Sequence, residues 1–120
     1  MTKSYFPAEE RAAFPSLYFA IVPDAMEVAR SMGYALLLHG SMSRDLDLVA
    51  VPWTTDAVRD EVLVEAIRAK FECWIGDCRL SASDQLARFG SKPHGRRAWS
   101  LHLGGHAFID LSVMPRLGGA

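Results

Sequence analysis

The sequence predicts one small α/β domain, a single sheet with helices on one face, and three observations carry this. The segment "TTDAVRDEVLVEAIRAKFEC" has apolar residues at helical spacing. Two short apolar runs precede it, "YALLLHG" and "DLDLVAVPW", the first ending in glycine and the second interrupted by proline. Near the C-terminus, "RRAWSLHLGGHAFIDLSVMP" holds two β-rich runs joined at Gly104-Gly105, a pair suited to a tight primed turn. The predicted order is α-β-β-α-irregular-β-β.

The elements follow in chain order. Residues 1–21 are read as an N-terminal arm or short helix packed on the body, and residues 22–120 as the domain. In "VPDAMEVARSMG", Pro23 suits a first helical turn, Asp24 favours the positive end, and Gly33 fits just past the C-terminus. "YALLLHG" reads as a buried strand and "DLDLVAVPW" as a second, stopped by Pro52. In the long helix, Thr54 or Thr55 can act as the cap. Val58, Val62 and Ala66 form one four-residue ladder there, and Leu63, Ile67 and Phe71 another. Between Trp74 and His94 the pattern is weak, with one or two helical turns expected in "SASDQLARFG".

Bulk properties narrow the function. A chain of 120 residues supports one domain. Half of it is apolar and 22% is charged, as in ordinary folded proteins. A formal net charge of -1 argues against a general nucleic-acid coat or a membrane-surface protein. No apolar run approaches the roughly 20 residues that span a bilayer, and the N-terminus lacks a signal-peptide core. A cytoplasmic location without membrane association is expected. Cys73 and Cys78 are expected to be free thiols in a reducing compartment. No second cysteine pair exists to complete a zinc site.

The chemistry concentrates in "HGSMSRDLDL". Strand alternation puts Asp45 and Asp47 on one face, with Leu46, Leu48 and Ala50 on the other, toward the helices. Aspartate is disfavoured in strands, and two like charges this close repel. One account starts the strand at Leu46 and leaves the acids to the preceding turn. The other places a divalent cation between them, since magnesium takes hard oxygen ligands from one or two carboxylates and substrate phosphates. In "HAFIDLSVM", Phe108, Asp110 and Ser112 share one face. Ala107, Ile109, Leu111 and Val113 share the core face. Asp110 should therefore project from the same open side as Asp45 and Asp47. Gly40 and Ser41 precede the acid pair in a turn whose backbone N–H groups and hydroxyl can hold phosphate oxygens.

These residues resemble the nucleotidyltransferase superfamily of the DNA polymerase β type. That family's core has a hydrophobic strand, Gly-Ser, a loop, Asp-x-Asp between hydrophobics, and a third acid on a separate strand. Here the pattern is "HGS", "DLDL" and "FIDLS", within a stretch from Asp24 to Pro115. The resemblance implies a minimal nucleotidyltransferase-like fold, with a small mixed sheet and helices on one face. It implies that Asp45, Asp47 and Asp110 bind Mg2+ or Mn2+ and form the catalytic triad. Gly40 and Ser41 would hold the phosphates of a nucleoside triphosphate, and Arg44 resembles the arginine often found after the family's Gly-Ser. The implied activity transfers a nucleoside monophosphate to an acceptor hydroxyl that the sequence does not identify. Two departures stand out: only "MSR" separates Ser41 from Asp45, and the helical domain that commonly follows the core is missing. A second subunit, a partner protein or the acceptor would then complete the site. The alternative reading is a non-catalytic binding module on the same fold, an antitoxin-like or phage-encoded accessory protein.

Basic and aromatic residues complete the expectation. "SKPHGRR" brings Lys92, His94, Arg96 and Arg97 before the last hairpin. With a two-residue turn at Gly104-Gly105, Trp99 lies opposite Asp110 and Arg97 opposite Ser112. Arg97 would then contact triphosphate and Trp99 would stack on a base, whereas a longer turn with shifted register would reverse this face assignment. His39 is expected to be a structural histidine at the end of a buried strand, His102 to face the helices, and His106 to cap the hairpin.

Overall fold

In the computed structural model, residues 8–40, 46–76, 78–82, 95–103 and 108–116 are described. The elements are α1 (Ala8–Ser31), β1 (Tyr34–His39), β2 (Leu46–Pro52), α2 (Asp60–Ile75), β3 (Arg79–Ala82), β4 (Arg97–His102) and β5 (Phe108–Val113). The five strands form one mixed sheet in the order β1-β2-β5-β4-β3. β2 and β5 run parallel at its centre, and every other neighbouring pair is antiparallel. Two helices pack on one face, as the sequence predicts. No described helix is long and apolar enough to cross a membrane.

α1 corrects the first helical expectation. The helix does not begin at Pro23 but runs unbroken through it from Ala8, so the arm drawn at residues 1–21 is largely helix. Tyr18, Ile21, Val22, Ala25 and Ala29 recur at three- and four-residue spacing and are all buried. This stripe, burying roughly 1.5–3 kcal/mol per large side chain, outweighs the one hydrogen bond that proline removes. Gly33 ends the helix as expected. Its φ is +91°, and a Cβ built there would lie 2.5 Å from Thr54 Oγ1 and 2.7 Å from the Ala57 Cα.

That close approach also moves the start of α2. Thr54 does not cap the helix: its Oγ1 is buried and has no hydrogen-bond partner among the described residues. Residues 54–58 instead fold back on the end of α1, with the Val58 N–H donating to the Met32 carbonyl at 3.1 Å. α2 begins at Asp60 after an extended Arg59 that makes no side-chain cap. Leu63, Ile67 and Phe71 are buried as predicted. Val64 joins them in place of Val62, which is exposed. Tyr34, fully buried in β1, donates its hydroxyl to the Val58 carbonyl at 2.6 Å. Burial pushes this phenol's pKa up.

β1 is an edge strand rather than a buried one, with only Tyr34 and Leu36 covered. β3 lies in the segment whose sequence pattern is weak. The turns expected in "SASDQLARFG" from residue 83 onward fall outside the described residues. Neither cysteine is in a disulfide; Cys73 is exposed and Cys78 buried.

The C-terminal hairpin has the shifted register of a longer turn, not that of a two-residue one. His102 pairs with Phe108, leaving residues 103–107 as the connection instead of a two-residue turn. Trp99 therefore faces Leu111 and Ser100 faces Asp110. Because alternation has period two, this one-residue shift exchanges the faces of the whole strand. Trp99, 6% exposed, joins Leu48, Leu101 and Leu111 beneath the helices. Trp99→Ala should cost about 3–5 kcal/mol in chemical denaturation, while Ala98→Ser should stay within about 0.5 kcal/mol. Similar costs at the two positions would contradict this register.

Candidate functional site

The helices cover the sheet face built from Leu46, Leu48, Ala50, Ile109, Leu111 and Val113, all nearly inaccessible. Alternation then sends Asp47 and Asp110 to the opposite face. There they are direct cross-strand partners on the two parallel central strands, whose axes lie about 4.8 Å apart. The same row continues outward to His39 on β1, opposite Asp47, and to Ser100 on β4, opposite Asp110. The Ser100 hydroxyl donates to Asp110 Oδ1 at 3.3 Å. His39, Asp47, Arg96, Ala98, Asp110 and Ser112 line a cavity of about 490 Å³ on this face.

Gly40, which follows β1, is held against Asp47. Its φ is +88°, and a Cβ built on it would lie 3.0 Å from Asp47 Oδ2. The residue type thus has a local cause: no other side chain adopts this backbone without strain or meets the carboxylate so closely. Ser41, Arg44 and Asp45 lie outside the described residues, as do Lys92, His94 and His106. Among the described residues, no group of three or more His, Cys, Asp or Glu side chains gathers to hold a metal. The described pair supplies two hard carboxylates, a donor set that suits magnesium or manganese shared with phosphate oxygens and water.

Two expected nucleotide contacts are displaced. Trp99 lies in the core, as above. Arg97 points to the helical side, where its Nη1 pairs with Asp60 Oδ2 at 3.1 Å and Glu61 Oε2 at 3.3 Å. Its guanidinium also sits 5.3 Å from the Trp99 ring centroid. This cluster borders a smaller cavity of about 280 Å³ with Tyr34, Arg59 and Arg116. Burial and the adjoining Glu61 carboxyl raise the Asp60 pKa against the opposing effect of Arg97. Asp60 and Arg97 in turn lower that of the exposed Glu61. The charges here belong to an ion-paired brace between β4 and α2.

The register puts other residues at the site. Arg96, one position earlier, donates from Nη1 to Ser112 Oγ at 2.8 Å on the open face. His102 shares that face with Ala98 and Ser100 instead of facing the helices. His39 is exposed beside Asp47 because β1 is an edge. Arg96, Ser100 and His39 were legible only through the hairpin register and the strand order. The one sequence signal for the register is the parity of the loop length.

Set against known proteins, the chain matches no protein-family model, no curated protein and no solved structure.

Two stability measurements check this geometry. Gly40→Ala should destabilise by about 1–3 kcal/mol, and a loss below about 0.5 kcal/mol would contradict the close approach to Asp47. Asp110→Asn should stabilise the protein in metal-free buffer by up to about 1 kcal/mol, because it removes one of two like charges directly opposite each other. A clear loss of stability would show that the pair is not repulsive.

Proposed function

We propose that the chain is a metal-dependent nucleotidyltransferase of the minimal DNA polymerase β-type kind, moving a nucleoside monophosphate from a nucleoside triphosphate to an acceptor hydroxyl. The observation that supports it most is the direct cross-strand pairing of Asp47 and Asp110 on the sheet face opposite the described helices, beside a glycine of positive φ. The family pattern requires this of the second acid of Asp-x-Asp and of the lone acid on a later strand. Asp45, one position before β2, is assigned with them as the third carboxylate.

Asp47 and Asp110 would hold magnesium or manganese between their carboxylates and the substrate. Bound there, the ion supplies charge neutralisation and lowers the pKa of a coordinated hydroxyl. Gly40 lets the backbone approach the phosphates, and Ser41 adds a hydroxyl donor. With Ser100 on Asp110 Oδ1, the Oδ2 atom is left to take the proton of the acceptor hydroxyl. The acceptor oxygen bonds to the α-phosphorus as the bond from that phosphorus to its bridging oxygen breaks. Pyrophosphate leaves with the electron pair. Positioning and charge neutralisation account for most of such catalysis, and rigid central strands provide both.

Melting curves and pyrophosphate release test the reading together. Magnesium or manganese at 100 times its Kd should stabilise the wild type by about 2.7 kcal/mol, a rise of roughly 10 °C. Asp47→Asn should abolish that rise. Pyrophosphate release from triphosphates, screened against pooled hydroxyl acceptors, should fall about 10²–10⁴-fold in Asp110→Asn if this carboxylate takes the proton. A metal-dependent rise without pyrophosphate release would favour the non-catalytic binding module. An equal rise in Asp47→Asn would place the ion elsewhere.

A further inference from the structure

β1 is an edge of the sheet, and its backbone groups divide by parity. The Trp53 N–H donates to the Gly33 carbonyl at 3.0 Å, which continues the ladder that pairs Tyr34 with Pro52. In an antiparallel ladder, residues that exchange hydrogen bonds with the partner strand alternate with residues that do not. Ala35, Leu37 and His39 therefore bond to β2. Tyr34, Leu36 and Leu38 turn their N–H and C=O outward, where no described strand pairs with them.

The surroundings of this edge are apolar. Leu37 is 50% exposed and Leu38 43%. Phe19, 66% exposed, and Met26, 36% exposed, lie two turns apart on one flank of α1. That flank is roughly opposite Asp24, whose carboxylate accepts a hydrogen bond from the Trp74 indole of α2. α1 packs on β1 and α2 on β4, so the flank turned away from α2 lies beside the β1 edge. Sheet edges are ordinarily blunted by charge, proline or short length. β3, at the other edge, has four residues and begins with Arg79. β1 has six, with neither charge nor proline from Tyr34 to Leu38.

Parity also selects the occupant. Antiparallel pairing of β1 with β1 of a second copy, centred on Leu36, sets Leu36 opposite its own image and Tyr34 opposite the partner's Leu38. All the outward groups then face one another, forming about six N–H···O=C bonds. A register shifted by one residue would set outward groups against inward ones and form none. The bonded register also keeps the helices of both copies on the same side of the joined sheet. Ala35 then meets the partner's Leu37 on one side. On the other, the Phe19 and Met26 flank of α1 meets its own image. A patch that complements itself in this way is the signature of a two-fold interface.

We propose that β1 and the adjoining flank of α1 form a two-fold dimer interface with a second copy of this chain, joining two five-stranded sheets into one. One strand edge and one helix flank make a small patch, on the order of 600 Å² per partner, the low end of specific interfaces. Dissociation in the micromolar range is expected from such an area. The interface does not depend on the transferase reading, because Asp47 and Asp110 lie on the inner strands β2 and β5.

Sedimentation velocity of the full chain tests the interface. The sedimentation coefficient should rise with concentration across the micromolar range and stop at the dimer. Leu38→Lys and Phe19→Glu should each weaken association at least tenfold. Both side chains are exposed, so the melting curves of the dilute monomers should be unchanged. Residue-resolved amide exchange checks the register. Raising the concentration should slow exchange at Leu36 and Leu38, and much less at Ala35 and Leu37, which are already bonded to β2. The proposal is overturned by a chain that stays monomeric to about 200 µM, by a dimer that survives both substitutions, or by assembly that continues past two copies. Equal slowing at Leu36 and Leu37 would overturn it as well.

Discussion

The parallel pairing of β2 with β5 is the constraint on which the rest of this fold depends. Leu46, Leu48 and Ala50 align with Ile109, Leu111 and Val113, and both sets must be buried beneath the same two helices. Once the six are buried, alternation leaves Asp47 and Asp110 no choice of face. The free energy that holds two carboxylates side by side is therefore hydrophobic, drawn from the opposite side of the sheet. Like charges directly opposite one another cost stability, and the core opposes that cost from behind.

The ends of the elements are set by close backbone packing more than by capping side chains. Gly33 lets the 54–57 segment come against the end of α1, and this contact delays α2 to Asp60. α2 then starts with Asp60 and Glu61 in reach of Arg97, which closes the lower edge of the core over Trp99. The two faces of β4 thus do different work. One carries the brace and the core tryptophan, and the other carries Arg96, Ala98 and Ser100 to the open side. The described helices lie on one face of the sheet, and the described acids, the serine hydroxyls and Arg96 are found on the other, around the cavity there.

Much of this was legible in the chain. The single sheet, the helical layer, the Leu63–Ile67–Phe71 ladder and the shared face of Asp47 and Asp110 follow from periodicity, because burial imposes periods of two and 3.6 directly on residue type. The end of α1 at Gly33 follows from glycine's freedom at positive φ. Periodicity says less about where an element starts. The α1 stripe from Tyr18 overrides Pro23, and a buried Thr54 fails as a cap, since in both cases tertiary packing outweighed a local preference.

What the sequence by itself determined is the buried face of β2 and β5 and, through alternation, that two acids emerge together from these strands. What only the tertiary structure decided is the pairing across strands: Ser100 instead of Trp99 opposite Asp110, Arg96 instead of Arg97 on the open face, and His39 exposed on an edge strand. The physical reason is that alternation fixes faces within a strand but not between strands. Gly104-Gly105 suits a two-residue turn, yet a five-residue connection lets Trp99 and Leu101 be buried, and burying a tryptophan outweighs the preference of two glycines for a tight turn.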